Sequence, residues 1–138
     1  MKNDVFGEKE RFYAMDEAVR QALTKDQLVD ITTTGRTTGQ PRRIEIWFHY
    51  QDGRVFISGI PARKDWYANM LAHPDFTFHL KQSLQRDVPA RATPITDKPT
   101  RREIFSRMLA LEPRMDNLRT NTDEWVEGSP LVEVELQG

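Results

Sequence analysis

The stretch Ile31-Thr32-Thr33-Thr34-Gly35-Arg36-Thr37-Thr38-Gly39-Gln40-Pro41-Arg42 decides how the rest of the chain reads. A β-branched run suits an extended strand. It enters a loop with two glycines, several hydroxyls and arginine on both flanks. A second strand then begins, Arg43-Ile44-Glu45-Ile46-Trp47-Phe48-His49-Tyr50. Such a loop can aim backbone N–H groups, hydroxyls and guanidinium forks at one small region, which is what a phosphate needs. The glycines let the backbone curl and approach an anion closely.

Outward from the loop, Ile44, Ile46 and Phe48 alternate with Glu45, Trp47 and His49, so one face of that strand is expected to be buried. Asp52-Gly53 predicts a tight hairpin turn, with Val55 to Gly59 as the return strand. Residues 64 to 72 predict a short helix ended by His73-Pro74. Phe76 to Gln82 and Arg86 to Ile95 read as strands, the second confined by Pro89 and Pro94 to an edge or a bend. Asp97 with Pro99 opens a helix that buries Ile104, Phe105, Met108 and Leu109. Residues 113 to 129 read as irregular or weakly helical around Trp125, and Leu131 to Leu136 as a closing strand. Upstream, Phe12, Met15, Val19 and Ala22 or Leu23 give residues 8 to 23 the spacing of an amphipathic helix. The expected class is α+β, mainly β with peripheral helices. About six antiparallel strands form a small barrel, in one domain over residues 1–138 with the 1–25 helix packed on it. A doubly wound fold is excluded, because no Gly-x-Gly-x-x-Gly links a strand to a helix.

The 138 residues contain no cysteine, which excludes disulfides, thiolate nucleophiles and cysteine-ligated metals. Twenty basic and twenty-one acidic side chains leave a net charge of −1, so nothing points to nucleic acid. His49, His73 and His79 lack metal-ligand spacing, and no metal is expected. No signal-peptide-like stretch follows Met1, no run is long and apolar enough to span a membrane, and the chain reads as cytoplasmic.

Two motifs in order carry a resemblance. The first is Thr32-Thr33-Thr34-Gly35-Arg36-Thr37-Thr38-Gly39-Gln40-Pro41-Arg42. The second is Trp66-Tyr67-Ala68-Asn69-Met70-Leu71-Ala72-His73-Pro74. Together the stretch from about 28 to 82 resembles the deazaflavin-dependent nitroreductase family. The resemblance implies a split β-barrel of the FMN-binding type that binds coenzyme F-420, a deazaflavin with a phosphate-containing, glutamate-tailed arm; related split barrels bind FMN instead. It implies that Arg36, Thr38 and Arg42 hold the phosphate and that Gly35, Thr37 and Gly39 supply loop contacts. Ser58, Gly59 and Trp66 would border the ring and arm, and Arg63 and Lys64 would meet a second anionic group such as the tail. It also implies pairing as a homodimer. The chain departs from the pattern at Thr37, where family members usually carry a cation, at Glu45-Ile46-Trp47, and in a short 58–66 segment.

The function expected is hydride transfer from reduced deazaflavin to a small organic acceptor. The alternatives are an FMN-binding protein and a non-catalytic flavin- or deazaflavin-binding module. No catalytic side chain is assigned. Trp47 could line a pocket or an interface. Glu45 could donate a proton, pair with an arginine or mark a lost cofactor. Trp66 and Tyr67 suit packing, and Arg101-Arg102 reads as a solvated helix face.

Overall fold

The computed structural model describes residues 16–137. Its strands are β1 (Leu28–Thr34), β2 (Pro41–Trp47), β3 (His49–Gln51), β4 (Arg54–Ser58), β5 (Asp75–Leu80), β6 (Arg86–Pro94) and β7 (Leu131–Leu136). They form one antiparallel sheet in the order β2-β1-β5-β6-β7-β4-β3. The two ends of that order, β2 and β3, are neighbours in sequence, separated only by Phe48. The sheet therefore curls back on itself, giving the split barrel the resemblance implies.

Seven strands replace the expected six because the 43–50 run is two strands, not one. Phe48 leaves the ladder, donates its N–H to the Gln27 carbonyl at 2.9 Å and turns its ring edge-on to Phe78 at 5.5 Å. The expected buried face of the run is complete at Phe48, partial at Ile46, which packs against the core, and lost at Ile44. Phe48 is 3% exposed, whereas Ile44 is 39% exposed. Ile44 and Ile46 do lie opposite Ile31 and Val29, but β2 is an end strand and the core thins out beneath it.

The prolines confine β6 in sequence to an edge or a bend, and the structure rules out the edge by placing it between β5 and β7. Its prolines are tolerated for a local reason. The Pro89 carbonyl accepts from Gln137 N–H at 2.7 Å, just past the end of β7. Nitrogen and carbonyl of one strand residue face the same side, so the missing Pro89 donor falls where the partner strand has run out. The Asp52-Gly53 turn is as expected, with φ of 53° and 80° at its two central residues.

The helices are α1 (Glu17–Lys25), α2 (Asp65–Ala72), α3 (Lys98–Leu111), α4 (Asp116–Thr120) and α5 (Thr122–Gly128). Asp16, in a non-helical conformation, caps α1 by accepting from Val19 N–H at 3.1 Å. The expected 8–23 helix thus does not run through Asp16, and residues 8 to 15 lie outside the described residues. Asp97 caps α3 through Thr100 N–H at 3.0 Å, with Pro99 in the first turn. The 113–129 segment, expected to be irregular or weakly helical, holds two short helices, α4 and α5.

β4 and β7 bury both faces. Val55, Ile57, Val132 and Val134 point into the barrel core with Val29, Ile31, Phe78 and the α1 residues Val19, Ala22 and Leu23. Phe56 and Leu131 point the other way, into a second core made by Ile104, Phe105, Met108, Leu118, Trp125 and Val126. Helices α3 to α5 are thereby fixed on the outside of β4–β7, and two hollows open along that seam. Among the described residues no helix is long and apolar enough to cross a membrane.

Candidate functional site

The loop between β1 and β2 closes on itself. Gly35 N–H donates to Gln40 O at 2.8 Å, Gly39 N–H to Gly35 O at 2.9 Å, and Gln40 N–H to Thr38 Oγ1 at 3.1 Å. Gly39 sits at φ +71°, open only to residues that tolerate the left-handed region, and a side chain at Gly35 would meet Thr38 Oγ1 at 2.6 Å. Among the described residues the Thr37 and Thr38 amides have no partner, so they remain the loop's available donors.

The loop is bolted to α2 by Asn69, which is 3% exposed. Asn69 Oδ1 accepts from Arg36 N–H at 3.0 Å and from Arg36 Nη1 at 3.1 Å, while Asn69 Nδ2 donates to Thr33 Oγ1 at 3.2 Å. Arg36 Nη2 also reaches Asp65 Oδ1 at 3.4 Å. The two motifs are thus one structure, and sequence reasoning missed the residue that joins them, although Asn69 stands inside the second motif. Arg36 is largely spent on this joint. Trp66 is buried, edge-on to Tyr67 at 5.9 Å, as a packing residue.

Other cations around the joint are unspent. Arg42 stands opposite Thr33 on β2, and Arg63 and Lys64 precede α2. None of the three has a carboxylate partner among the described residues. Cations before a helix oppose its dipole, so their position favours an anion from outside the chain.

Ser58 and Gly59 line the first of the two hollows and stand beside Pro130, which lines the second. Ser58 Oγ donates to the Pro130 carbonyl at 2.5 Å. The first hollow, a cleft of about 740 Å³, is lined by Ser58, Gly59 and Ile60, by Trp47 to Gln51, and by Met108, Leu111, Glu112, Arg114 and Trp125. Burial pushes the His49 pKa down to about 4, against a smaller opposing effect of the Glu112 charge, so this imidazole is neutral at pH 7. Trp47, 57% exposed, stands at the mouth. The second hollow, about 630 Å³, runs between α2, the start of α3 and the end of α5, and holds Arg63 and Lys64.

Glu45 is in neither hollow; it pairs with Lys81, whose Nζ also reaches Asp30 Oδ1 at 2.6 Å. A chain from Thr32 Oγ1 through His79 to Asp87, 2.7 Å at each step, also lines neither hollow. Arg101, read from sequence as solvated, is 5% exposed and lines the second hollow. Its guanidinium donates to the carbonyls of Val126 and Ile95 at 2.7 Å, Trp125 at 2.9 Å and Ser129 at 2.6 Å. Among the described residues no group of histidine and carboxylate side chains could hold a metal.

The fold has many relatives among solved structures. A conserved hypothetical protein of Mycobacterium tuberculosis superposes with a TM-score of 0.67 at 15% identity, covering 89% of this chain and 81% of that one. A FAD-binding protein of Mesorhizobium loti gives 0.61 at 16%, covering 88% and 90%. An F420-H2 dependent reductase gives 0.55 at 21%, covering 79% and 94%. These likenesses establish the split-barrel fold. Identity of function comes from the family model of the F420H(2)-dependent quinone reductases, which matches residues 6–133. With nearly the whole chain matched, the protein belongs to the F420H(2)-dependent quinone reductase family and is an F420-dependent oxidoreductase.

Proposed function

We propose that the chain reduces quinone-type acceptors, with the ring of the cofactor and the acceptor sharing the cleft beside Ser58 and Gly59. The cofactor's anionic arm runs along residues 59–64 to the β1–β2 loop. The observation that carries this reading is the set of unspent donors, the Thr37 and Thr38 amides with Arg42, Arg63 and Lys64, together with a cleft large enough for a tricyclic ring, whose lining residue Gly59 stands beside Lys64. When bound, reduced F-420 supplies the hydride. The protein's own part is binding and orientation. Arg42 and the loop amides hold the phosphate, while Arg36 keeps the loop in shape through Asn69 and Asp65. Trp47, Met108 and Trp125 provide apolar walls that exclude water from an acceptor. His49 presents a neutral ring to the cleft, a group that can donate a hydrogen bond to an acceptor or accept one from it.

Titration of the purified protein with F-420 and FMN in parallel, followed by turnover of a soluble naphthoquinone with the reduced cofactor, tests the reading. Saturable, salt-sensitive F-420 binding with turnover is expected. Binding of FMN alone would transfer the site to flavin chemistry. In the same reading two copies pair through exposed β2, where Ile44 is 39% exposed; a monomer in sedimentation would remove that part.

A further inference from the structure

The cleft beside Ser58 holds many polar side chains, yet most of their donors are spent on the protein itself. Ser58 Oγ donates to the Pro130 carbonyl at 2.5 Å, and Trp125 Nε1 donates to Asn117 Oδ1 at 2.8 Å. Gln51 Nε2 is turned toward the Ile104 carbonyl at 3.5 Å, and Thr24 Oγ1 donates to the Gln21 carbonyl at 2.7 Å. Ionised carboxylates, which Asp26 and Glu112 can supply here, accept hydrogen bonds and donate none. Tyr50 packs against the barrel core. Lys25, Trp47 and Arg114 are exposed.

His49 is the exception. Its side chain lines the cleft and is half-buried, and among the described residues its ring makes no hydrogen bond or ion pair. His79 shows the usual arrangement, with both ring nitrogens held, by Thr32 Oγ1 and Asp87 Oδ1, at 2.7 Å each. The break at Phe48 explains the difference. Phe48 turns into the core, so its neighbours Trp47 and His49 are presented the other way, toward the cleft.

The reaction gives such a donor a use. A quinone that receives a hydride gains two electrons and one proton and becomes a hydroquinone monoanion, while reduced F-420 is oxidised. The negative charge collects on one oxygen, which afterwards takes a proton from water. A donor already in place at that oxygen stabilises the charged transition state more than the neutral carbonyl.

We propose that His49 is a catalytic residue, donating its ring N–H to the acceptor carbonyl oxygen on which this charge develops. The assignment rests on the reading above in placing the acceptor in this cleft. Burial keeps the imidazole neutral at pH 7, so it donates a hydrogen bond and retains its proton throughout. The charged side chains that share the cleft with it are Glu112 and Arg114 beyond α3, and Lys25 and Asp26 beyond α1. Glu112, whose charge acts on the imidazole, meets Arg114 at 3.8 Å.

The test is steady-state reduction of a soluble naphthoquinone by the full chain saturated with reduced F-420, from pH 5.5 to 8. Wild type, His49→Phe and His49→Gln are compared. His49→Phe is expected to lower kcat by about 10- to 100-fold with the F-420 dissociation constant unchanged. His49→Gln keeps an N–H and should recover much of the loss. Wild-type kcat should not fall as pH rises through 6.5, the ordinary histidine value. A second readout needs no turnover. With oxidised F-420 bound, infrared difference spectra of an isotope-labelled naphthoquinone should show its carbonyl stretch lowered in wild type and not in His49→Phe. An unchanged kcat in His49→Phe, or a wild type without the carbonyl shift, overturns the assignment and leaves the proposed function standing. So does a carbonyl shift that survives in His49→Phe. A wild-type kcat that drops about tenfold per pH unit above 6.5 overturns it as well, because the donor would then be a titrating acid. The wild-type measurements decide even where a variant fails to fold. Lack of F-420 binding, or of any quinone turnover, overturns the proposed function and this assignment with it.

Discussion

Asn69 is worth more to this protein than its place as the fourth residue of a helical motif implies. Its single amide satisfies the Arg36 N–H, shares the Arg36 guanidinium and donates to buried Thr33. Asn69→Leu is expected to lower unfolding free energy by roughly 3 kcal/mol, because it strands the buried Thr33 hydroxyl and takes away the acceptor that holds the Arg36 amide and guanidinium. Asn69→Asp keeps the acceptor and should lose less. Urea melts of the two variants, with hydrogen exchange at the Arg36 amide, check this. His49 gives the second expectation at this scale. Its folded pKa, about 4, lies below the ordinary value of 6.5, so between those values the unfolded chain binds a proton that the folded chain does not. The stability this group contributes is complete above pH 6.5 and is lost as pH falls toward 4, by up to about 3 kcal/mol. His49→Gln should flatten that slope in denaturant melts taken from pH 7.5 to 4; an unchanged slope would place the sensitivity in other groups. Neither residue was legible beforehand. A strand histidine shows its burial only once α3 has closed over β3, and an asparagine shows its partners only once the loop has met the helix.

The elements themselves were largely readable, and the failures have causes. Hairpins and caps are local, so Asp52-Gly53 and Asp97 with Pro99 could be placed from a few neighbouring residues. The break at Phe48 is not local. It depends on a curled sheet whose two ends must share one piece of chain, and the uninterrupted alternation of 43–50 hides it. Pro89 misled for a similar reason: whether a missing N–H matters depends on where β7 ends. Arg101 is the largest miss. On a helix surface Arg101-Arg102 looks like a charged pair, and only the packing of α5 shows Arg101 turned inward onto four carbonyls, holding α3 to the end of α5 and the entry of β7. Arg101→Leu should therefore destabilise the fold by about 3–5 kcal/mol, since the carbonyls lose their donors inside the protein. Arg101→Lys keeps the charge but not the fork and should fall between wild type and Leu. Guanidinium melts followed by fluorescence of Trp125, which lies edge-on to Phe105 at 5.6 Å, would report on this seam.

At the scale of the whole molecule, the curl of the sheet and the helices outside β4–β7 give the site two ends that mutation can separate. In the proposed function the cationic end, Arg42 and Arg63 near the loop and α2, takes the cofactor's arm, and the apolar end, with Trp47 at the mouth of the cleft, takes the acceptor. Trp47 is 57% exposed, so replacing it should hardly change stability, by less than about 0.5 kcal/mol. It should remove an aromatic wall worth about 1–1.5 kcal/mol to a bound ring. Trp47→Ala is thus expected to raise KM for a naphthoquinone up to about tenfold while the F-420 dissociation constant and melting temperature stay put. Arg42→Gln is expected to do the opposite: weaker F-420 binding with a shallower salt dependence, and an unchanged KM once cofactor is saturating. Steady-state kinetics with direct titration would read both. If Trp47→Ala weakens cofactor and acceptor alike, ring and acceptor meet at the same wall, and the cleft must be divided along its depth, with His49 and Glu112 on the acceptor's side, rather than from mouth to loop.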